Sequence, residues 1–260
     1  MYSVGIDIGS TSGEAVILNG NGILASSIVD TGYNSRRAAE FALEKVLADS
    51  GLTREQLGPI VATGYGRIAI DFAEQQVTEI SCYARGMSYI FPDVGTVIDI
   101  GGQDSKVIAV GKNGKAVDFA MNDKCAAGTG RFLEVTARAL QLNLSDLGDI
   151  STHATRDVPI SSICTVFAES EVITLVAEGA ERADIVAGLH RAIAKRVGAM
   201  VKRIGVNPTI AFAGGVAKNA GVKRALEEAL SIRLVVPPEP QIVGALGAAL
   251  IARDLDHSLG

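Results

Sequence analysis

Two short segments each place an aspartate and a glycine at the end of an apolar run, a pattern that suits the binding of phosphate and Mg²⁺. The first is Ile6-Asp7-Ile8-Gly9, which continues as Ser10-Thr11-Ser12, and the second is Ile98-Asp99-Ile100-Gly101, which continues as Gly102-Gln103. Glycine lets phosphate oxygens approach backbone N–H groups, and hydroxyl groups add hydrogen-bond donors. Because carboxylate oxygens are good Mg²⁺ ligands, we expect Asp7 and Asp99 to bind Mg²⁺ directly or through water.

A third glycine turn, Ala213-Gly214-Gly215-Val216, lies between a predicted strand and a predicted helix, where a nucleotide could lie against the backbone. For one loop alone, an ordinary strand-ending turn with aspartate as a cap is an equally good interpretation. The paired loops and the third turn, in this order, favour a nucleotide site. The predicted nucleotide contacts are Ser10, Thr11, Ser12, Gly13, Glu14, Gly101, Gly102, Gln103, Gly214, Gly215, Lys218 and Gln241. For hydrolysis of a bound nucleotide, the predicted catalytic residues are Asp7, Asp99 and Gln103. Gln103 would orient the water that attacks the phosphate.

Two of the three cysteines, Cys125 and Cys164, stand just before helical patterns. A helix N-terminus stabilises a thiolate through its N–H groups and dipole, and such thiolates suit an iron–sulfur centre. A cubane cluster usually needs four thiolates, so two cysteines from each of two subunits would complete one cluster on a homodimer axis. Spacing alone favours the alternative that both are buried small hydrophobic residues, and Cys82, inside an apolar helix, is interpreted as a packing residue.

The elements that must position these residues alternate between strand and helix patterns, which predicts an α/β fold. Helices are predicted over 35–50, 78–89, 130–140, 168–178, 184–204 and 220–230 and from about 244 onward. Each aspartate loop continues as a strand, a Gly/Asn turn and another strand, which indicates an internal duplication and two similar lobes. We predict lobe I over 1–94, with the C-terminal helix 244–260 packing on it, and lobe II over 95–243, carrying the cluster cysteines.

Composition excludes several classes of function. The chain has 260 residues, 48% of them hydrophobic, a net charge of −5 and a pI of about 5.3, so a nucleic-acid partner is disfavoured. No secretory signal pattern is present, and the late apolar run 242–252 is too short to span a bilayer. These features predict a cytoplasmic protein without membrane association, in which structural disulfides are disfavoured.

The glycine segments resemble those of the superfamily of acetate kinase, sugar kinases, heat-shock chaperones and actin. Residues 5–14 resemble its first phosphate loop, 98–106 its second, and 211–219 its adenosine segment. This resemblance implies a duplicated actin-like (ribonuclease H-like) two-lobe ATPase fold, with ATP/ADP and Mg²⁺ between the lobes and hinge closure as the working motion. A P-loop site is excluded, because no Gly-x-x-x-x-Gly-Lys-Ser/Thr segment is present.

The segments around the cysteines, 122–132 and 161–171, closely resemble the activators of (R)-2-hydroxyacyl-CoA dehydratases. Further similar segments are 62–67, 76–82, 97–107 and 244–249. The resemblance implies a homodimer with one 4Fe-4S cluster, ligated by Cys125 and Cys164 of each chain. It also implies that the protein takes one electron from ferredoxin or flavodoxin. ATP hydrolysis would then drive transfer of this electron to a separate dehydratase.

The sequence departs from the activator pattern at two positions and leaves other functions open. Glu14 stands where activators usually carry lysine, and Lys218 where glutamine is often found. One alternative is an ATPase subunit of a benzoyl-CoA reductase-type enzyme. A second is a small-molecule kinase of the same superfamily without a cluster, and a third is a non-catalytic ATP-binding or filament protein with packing cysteines.

Overall fold

The computed structural model of the chain describes residues 2–160 and 165–258. The strands in these residues are β1 (Tyr2–Ile8), β2 (Ser12–Asn19), β3 (Gly22–Asp30), β4 (Leu57–Thr63), β5 (Gln75–Gln76), β6 (Thr96–Ile100), β7 (Ser105–Val110), β8 (Ala116–Asn122), β9 (Ile210–Ala213) and β10 (Leu234–Val235). The helices are α1 (Ser35–Ser50), α2 (Glu79–Ile90), α3 (Gly130–Ala139), α4 (Leu147–Ile150), α5 (Thr165–Ala177), α6 (Arg182–Ile204), α7 (Ala220–Leu230) and α8 (Val243–Ser258). No helix among the described residues is both long and apolar enough to cross a membrane.

The chain divides into two compact units. The first comprises Met1–Val97, Ile108–Asp118 and Pro237–Gly260, and the second comprises Ile98–Val107 and Phe119–Val236. The first five-stranded sheet, β3-β2-β1-β4-β5, lies in the first unit. In the second sheet, β10-β9-β6-β7-β8, strands β9 and β10 belong wholly to the second unit. Strands β6, β7 and β8 are each divided between the two units.

The two sheets have the same strand order. In the first sheet β1 is central, pairs antiparallel with β2 and parallel with β4, and the outer strands are β3 and β5. In the second sheet β6 holds the position of β1, with β7 and β8 on one side and β9 and β10 on the other. The predicted duplication is therefore confirmed, and it extends beyond the hairpin to the two strands on the other side of β1 and β6.

Alternation along β1 determines which side chains reach each face of the first sheet. Val4, Ile6 and Ile8 belong to the apolar cluster that includes the buried residues of α1. Gly5 packs on the opposite face, where a side chain would collide with the backbone of α8. Asp7, two residues farther along, therefore points to the α8 face of the sheet, and its surroundings there are set by α8.

The second unit has its own core, in which the side chains of β6 also alternate between the two faces of the sheet. Ile98 and Ile100 of β6 are fully buried with Phe132 of α3, Ile193 of α6 and Phe212 of β9. Period-two alternation then places Asp99 on the face opposite to this core. The central strand of each sheet thus has one aspartate near its end, between two buried isoleucines.

Candidate functional site

The first glycine loop is closed by backbone hydrogen bonds directly after β1. The N–H of Gly9 donates to the carbonyl of Ser12 at 2.9 Å, which forms a tight turn. Thr31, at the end of β3, holds this turn from the side, because its hydroxyl donates to the carbonyl of Gly9 at 2.9 Å and its N–H donates to that of Thr11 at 3.0 Å. Ser10, Thr11 and Ser12 remain accessible, as expected for residues that contact a ligand.

Asp7 lies buried beneath this loop, with 4% of its surface exposed. Glycines surround its carboxylate, because a side chain at either Gly64 or Gly244 would collide with one of its oxygens. Gly244 is in the first turn of α8, whose N-terminal dipole favours a negative charge. Glu14 is the cross-strand partner of Asp7 in the β1–β2 register and is equally buried, so two carboxylates share this face of the sheet.

Gln241 is the predicted contact that lies farthest along the chain from the first loop. Its side-chain Nε2 donates to the hydroxyl of Ser12 at 3.4 Å, and its backbone N–H donates to the carboxylate of Glu239. The structure therefore brings Gln241 to the loop that contains Ser10, Thr11 and Ser12.

The second glycine loop repeats the turn of the first. The N–H of Gly101 donates to the carbonyl of Asp104 at 3.0 Å, which matches the Gly9–Ser12 bond in the first loop. Gly101 and Gly102 are partly exposed and Gln103 is exposed. The side chain of Gln103 therefore lies at the surface of the loop.

The second loop contains a buried ion pair at the positions matched to Asp7 and Glu14. Lys106 Nζ lies 3.3 Å from Asp99 Oδ2 and 2.8 Å from Asp104 Oδ1. Asp99 and Lys106 are 1% and 2% exposed, and such buried charges are tolerated because each has a partner. The two loops are consequently alike in backbone and unlike in charge, since the first carries a glutamate where the second carries a lysine.

Each aspartate loop is approached by a glycine from the neighbouring strand. Gly64 follows β4 with φ +91°, and a side chain there would collide with Ile8 and Asp7. Gly214 follows β9 with φ +81°, and a side chain there would collide with Ile100 and Asp99. Gly214 is among the predicted nucleotide contacts and Gly64 is not, although alignment of β4 with β9, beside that of β1 with β6, matches the two glycines.

The segment after Gly214 forms a short 3-10 turn, Gly215–Lys218, and then enters α7. Gly215 and Lys218 are exposed. Asn219 caps α7, because its Oδ1 accepts from the N–H groups of Gly221 at 2.9 Å and Val222 at 3.1 Å. The cap fixes the direction in which the chain leaves the third glycine turn.

His190 of α6 contacts the capping residue Asn219. Its Nε2 lies 3.3 Å from Asn219 Nδ2, and since Asn219 Oδ1 accepts from backbone N–H groups, Nδ2 is the donor. The imidazole is 2% exposed, and its burial, with smaller contributions from Arg224 and Arg191, lowers the pKa of His190 to about 4. A neutral ring is what the contact requires, because a protonated Nε2 could not accept.

Cys125 lies in a partly exposed loop between β8 and α3 and is not in a disulfide. Asn122 closes this loop, because its Nδ2 donates to the carbonyls of Cys125 at 2.8 Å and Ala127 at 3.2 Å. The hydroxyl of Thr129 donates to the carbonyl of Ala126 at 2.7 Å. The backbone around the thiol is thereby held by side chains on both sides.

The first amides of α3 bind the second glycine loop. The N–H of Gly130 donates to the carbonyl of Gly101 and that of Arg131 to the carbonyl of Gly102, both at 2.8 Å. The expectation that this helix N-terminus would turn its N–H groups to the Cys125 thiolate is wrong for these two amides, which are already used. The helix after Cys125 is instead joined directly to the predicted phosphate loop.

The remaining two cysteines are Cys164 and Cys82. Cys164 lies outside the described residues, and α5 begins directly after it at Thr165. The chain leading towards it is held by Asp184 of α6, whose Oδ1 accepts from the N–H groups of Thr155 at 2.6 Å and Arg156 at 2.9 Å. Cys82 is fully buried in α2, and burial raises the pKa of its thiol to about 12.

Comparison with known sequences gives consistent matches over nearly the whole chain. The sequence profile of the BadF/BadG/BcrA/BcrD ATPase family matches residues 4–252. The chain is 49% identical over 255 residues to the 2-hydroxyisocaproyl-CoA dehydratase activator of Clostridioides difficile, covering 98% of this chain and 96% of that protein. It is 47% identical over 254 residues to the (R)-2-hydroxyglutaryl-CoA dehydratase activating ATPase of Acidaminococcus fermentans, covering 97% of each.

Solved structures agree with the fold. The activator of the 2-hydroxyisocaproyl-CoA dehydratase from Clostridium difficile with bound ADPNP matches at a TM-score of 0.95 and 48% identity, covering 100% of this chain and 97% of that one. A ROK hexokinase from Thermus thermophilus matches at a TM-score of 0.55 and 18% identity over the full length of both chains, a likeness that shows the fold alone. The expected duplicated actin-like and sugar-kinase-like fold is confirmed.

Proposed function

The chain belongs to the BadF/BadG/BcrA/BcrD ATPase family, and from this premise we propose that it is the ATP-dependent activator of a 2-hydroxyacyl-CoA dehydratase. In this role it takes one electron from ferredoxin or flavodoxin and donates it to the separate dehydratase. Support comes from the two activators that are 49% and 47% identical over almost the whole chain. Because the named substrates of these two dehydratases differ while the identities are nearly equal, the proposal extends to the class of 2-hydroxyacyl-CoA and no further.

The predicted nucleotide contacts suit ATP and Mg²⁺. Glycines 64 and 214 leave no room for a side chain beside the two aspartates, as a site needs where backbone approaches a phosphate. Asp7 and Asp99 would hold Mg²⁺ and position water, and Gln103 would orient the attacking water. The remaining contacts would come from Ser10, Thr11, Ser12, Gly13, Glu14, Gly101, Gly102, Gly214, Gly215, Lys218 and Gln241. ADPNP bound to the relative from Clostridium difficile supports a nucleotide site in this family.

The Cys125 segment suits a ligand to a 4Fe-4S cluster. Its thiol is not in a disulfide, the residue is partly exposed, and Asn122 donates to the backbone carbonyls of Cys125 itself and of Ala127. With Cys164, which lies outside the described residues, each chain would contribute two thiolates, so that a homodimer would provide the usual four. Such a cluster supplies one-electron transfer when it is bound.

One observation carries the proposal that ATP and the cysteine segment are coupled. The amides of Gly130 and Arg131 donate to the carbonyls of the second glycine loop, only a few residues after Cys125. Because α3 begins at these amides, a change in the loop on hydrolysis would move the start of the helix and the loop that carries the thiol. These two hydrogen bonds are a direct physical link between the second loop and the start of α3.

The size of the energetic task explains why hydrolysis is needed. A shift of about 59 mV in a one-electron potential corresponds to about 1.4 kcal/mol. A shift of a few hundred millivolts therefore requires on the order of 5–10 kcal/mol. Coupling between two bound ligands supplies typically about 1–3 kcal/mol. ATP hydrolysis, rather than ATP binding alone, is the sufficient source.

Anaerobic purification followed by iron and sulfide analysis tests this function. We expect about four irons per dimer and ATPase activity that increases when the partner dehydratase is present. Cys125→Ala should lose the iron, and the matched control Cys82→Ala, at the buried thiol, should retain it. An iron-free protein with full ATPase activity would contradict the activator function and favour the small-molecule kinase, which needs no cluster.

A further inference from the structure

The two aspartate loops differ in charge at one matched position. In the second unit Lys106 is paired with Asp99 and Asp104, at 3.3 and 2.8 Å. In the first unit the same position of the duplicated hairpin is Glu14, in register with Asp7. The matched positions are thus two carboxylates in the first loop and a carboxylate paired with an ammonium group in the second. A phosphate bound at the first loop would therefore need a cation from another part of the first unit.

Arg67 is hydrogen-bonded to the same glycine that contacts Asp7 at the end of β1. Gly64 packs on Asp7 and Ile8, and the N–H of Gly66 donates to the carbonyl of Ile8 at 2.8 Å. The guanidinium Nη1 of Arg67 donates to the carbonyl of Gly64 at 3.0 Å, and the side chain is partly buried. The 3-10 turn Arg67–Ala69 matches the turn Gly215–Lys218 that follows Gly214 in the second unit.

The Cys82 thiol is influenced by the charges of both Asp7 and Arg67. Burial is the main cause that raises the pKa of the Cys82 thiol to about 12, and the Asp7 carboxylate raises it further while the Arg67 guanidinium lowers it. Both charged groups thus act on one buried thiol. This agrees with the geometry, in which Gly64 contacts Asp7 and accepts the hydrogen bond from Arg67.

We propose that Arg67 is a phosphate-binding residue of the first loop and provides there the positive charge that Lys106 provides in the second. A guanidinium has five N–H donors in a planar fork, so the bond to Gly64 leaves donors for a phosphate oxygen pair. The bond to Gly64 also limits the freedom of the side chain, which lowers the entropic cost of binding. This inference rests on the proposed nucleotide site and deepens it by naming a further residue.

Nucleotide affinity measured by calorimetry on the cluster-containing dimer, with Mg²⁺ present, tests the proposal. Arg67→Gln should weaken ATP and ADP binding by about 10- to 100-fold, the loss expected for charge-assisted hydrogen bonds, and should leave adenosine binding unchanged. Arg67→Lys keeps the charge without the fork and should weaken ATP binding by about 3- to 10-fold. The control Arg36→Gln removes an exposed cation that pairs with Glu40 and Asp71, and should leave all three affinities unchanged.

The outcomes separate the two proposals. If the wild-type dimer does not bind ATP, the proposed function fails. If it binds ATP and Arg67→Gln binds equally well, the role of Arg67 is overturned while the function stands. An equal loss for adenosine and ATP would also overturn it, since that result indicates a merely structural role. Should Arg67→Gln not fold, Arg67→Lys retains the test through the same ratio of ATP to adenosine affinity.

Discussion

Acidification from pH 7 to pH 5 should destabilise the second unit through one buried imidazole. His190 has a folded-state pKa of about 4, lowered by burial first and then by Arg224 and Arg191, against an ordinary value of 6.5. A group whose folded pKa is depressed binds protons more readily when unfolded. Its contribution to stability is therefore present above pH 6.5 and is lost as the pH falls from 6.5 towards 4.

The magnitude follows from the two pKa values. A difference of about 2.5 units corresponds to a maximum of about 3 kcal/mol, reached only below pH 4. At pH 5 the loss relative to pH 7 is about 2 kcal/mol. Most carboxylates have ordinary pKa values near 4, so this interval reports mainly on histidine. Protonation would also remove the acceptor for Asn219 and disturb the cap of α7.

Urea unfolding followed by circular dichroism at pH 7, 6 and 5 would measure this effect. His190→Gln carries no titratable group, so its unfolding free energy should fall by about 2 kcal/mol less than that of the wild type between pH 7 and 5. The exposed His153 is the matched control, and His153→Gln should follow the wild-type curve. Parallel curves for wild type and His190→Gln would refute the reasoning, because the depressed pKa would then contribute nothing to folding.

Three further substitutions test the second unit by thermal or chemical unfolding, with ATP affinity as a second measurement for the first of them. Gly214→Ala should be less stable than Gly205→Ala and should weaken ATP binding, because both positions have positive φ but only Gly214 packs on Asp99. Asn219→Ala should lower the unfolding free energy by about 1–2 kcal/mol through loss of the α7 cap. Lys106→Met should lower the unfolding free energy by about 3–5 kcal/mol, because the Asp99 charge stays buried without this cation. Adding Asp99→Asn should restore part of the lost stability.

Local signals predicted most of the fold. Helix 35–50 was predicted at its observed bounds, because Asn34 accepts from the N–H of Arg37 at its start and Gly51 adopts φ +69° at its end, and both residues are visible in sequence. The final helix was predicted to begin at about 244 and begins at Val243. The four-residue α4 and the two-residue β5 were missed because elements this short have no periodicity of their own.

The candidate site was less predictable because its key contacts join residues far apart in sequence. Asp7, Asp99 and the glycines after them were named from spacing. The bonds from Gly130 and Arg131 to the second loop had no local signal, since any helix N-terminus has amides that seek acceptors and the sequence does not say which acceptors it will find. His190 likewise had no metal-ligand or catalytic pattern, and its role depends on the position of Asn219 in α7.

Helix α6 connects the features of the second unit that the proposed function must coordinate. Asp184 and Gly188, near its start, hold the backbone of residues 155–158 that leads towards Cys164. His190 holds the cap that follows the third glycine turn, and Arg196 packs against Gly128 in the Cys125 loop. Because these contacts span only about three turns of one helix, they cannot move far relative to one another without breaking its backbone hydrogen bonds. On the proposed function, a displacement at the glycine turn would therefore be transmitted through α6 to the Cys125 loop and to residues 155–158, by a route separate from the amides of α3.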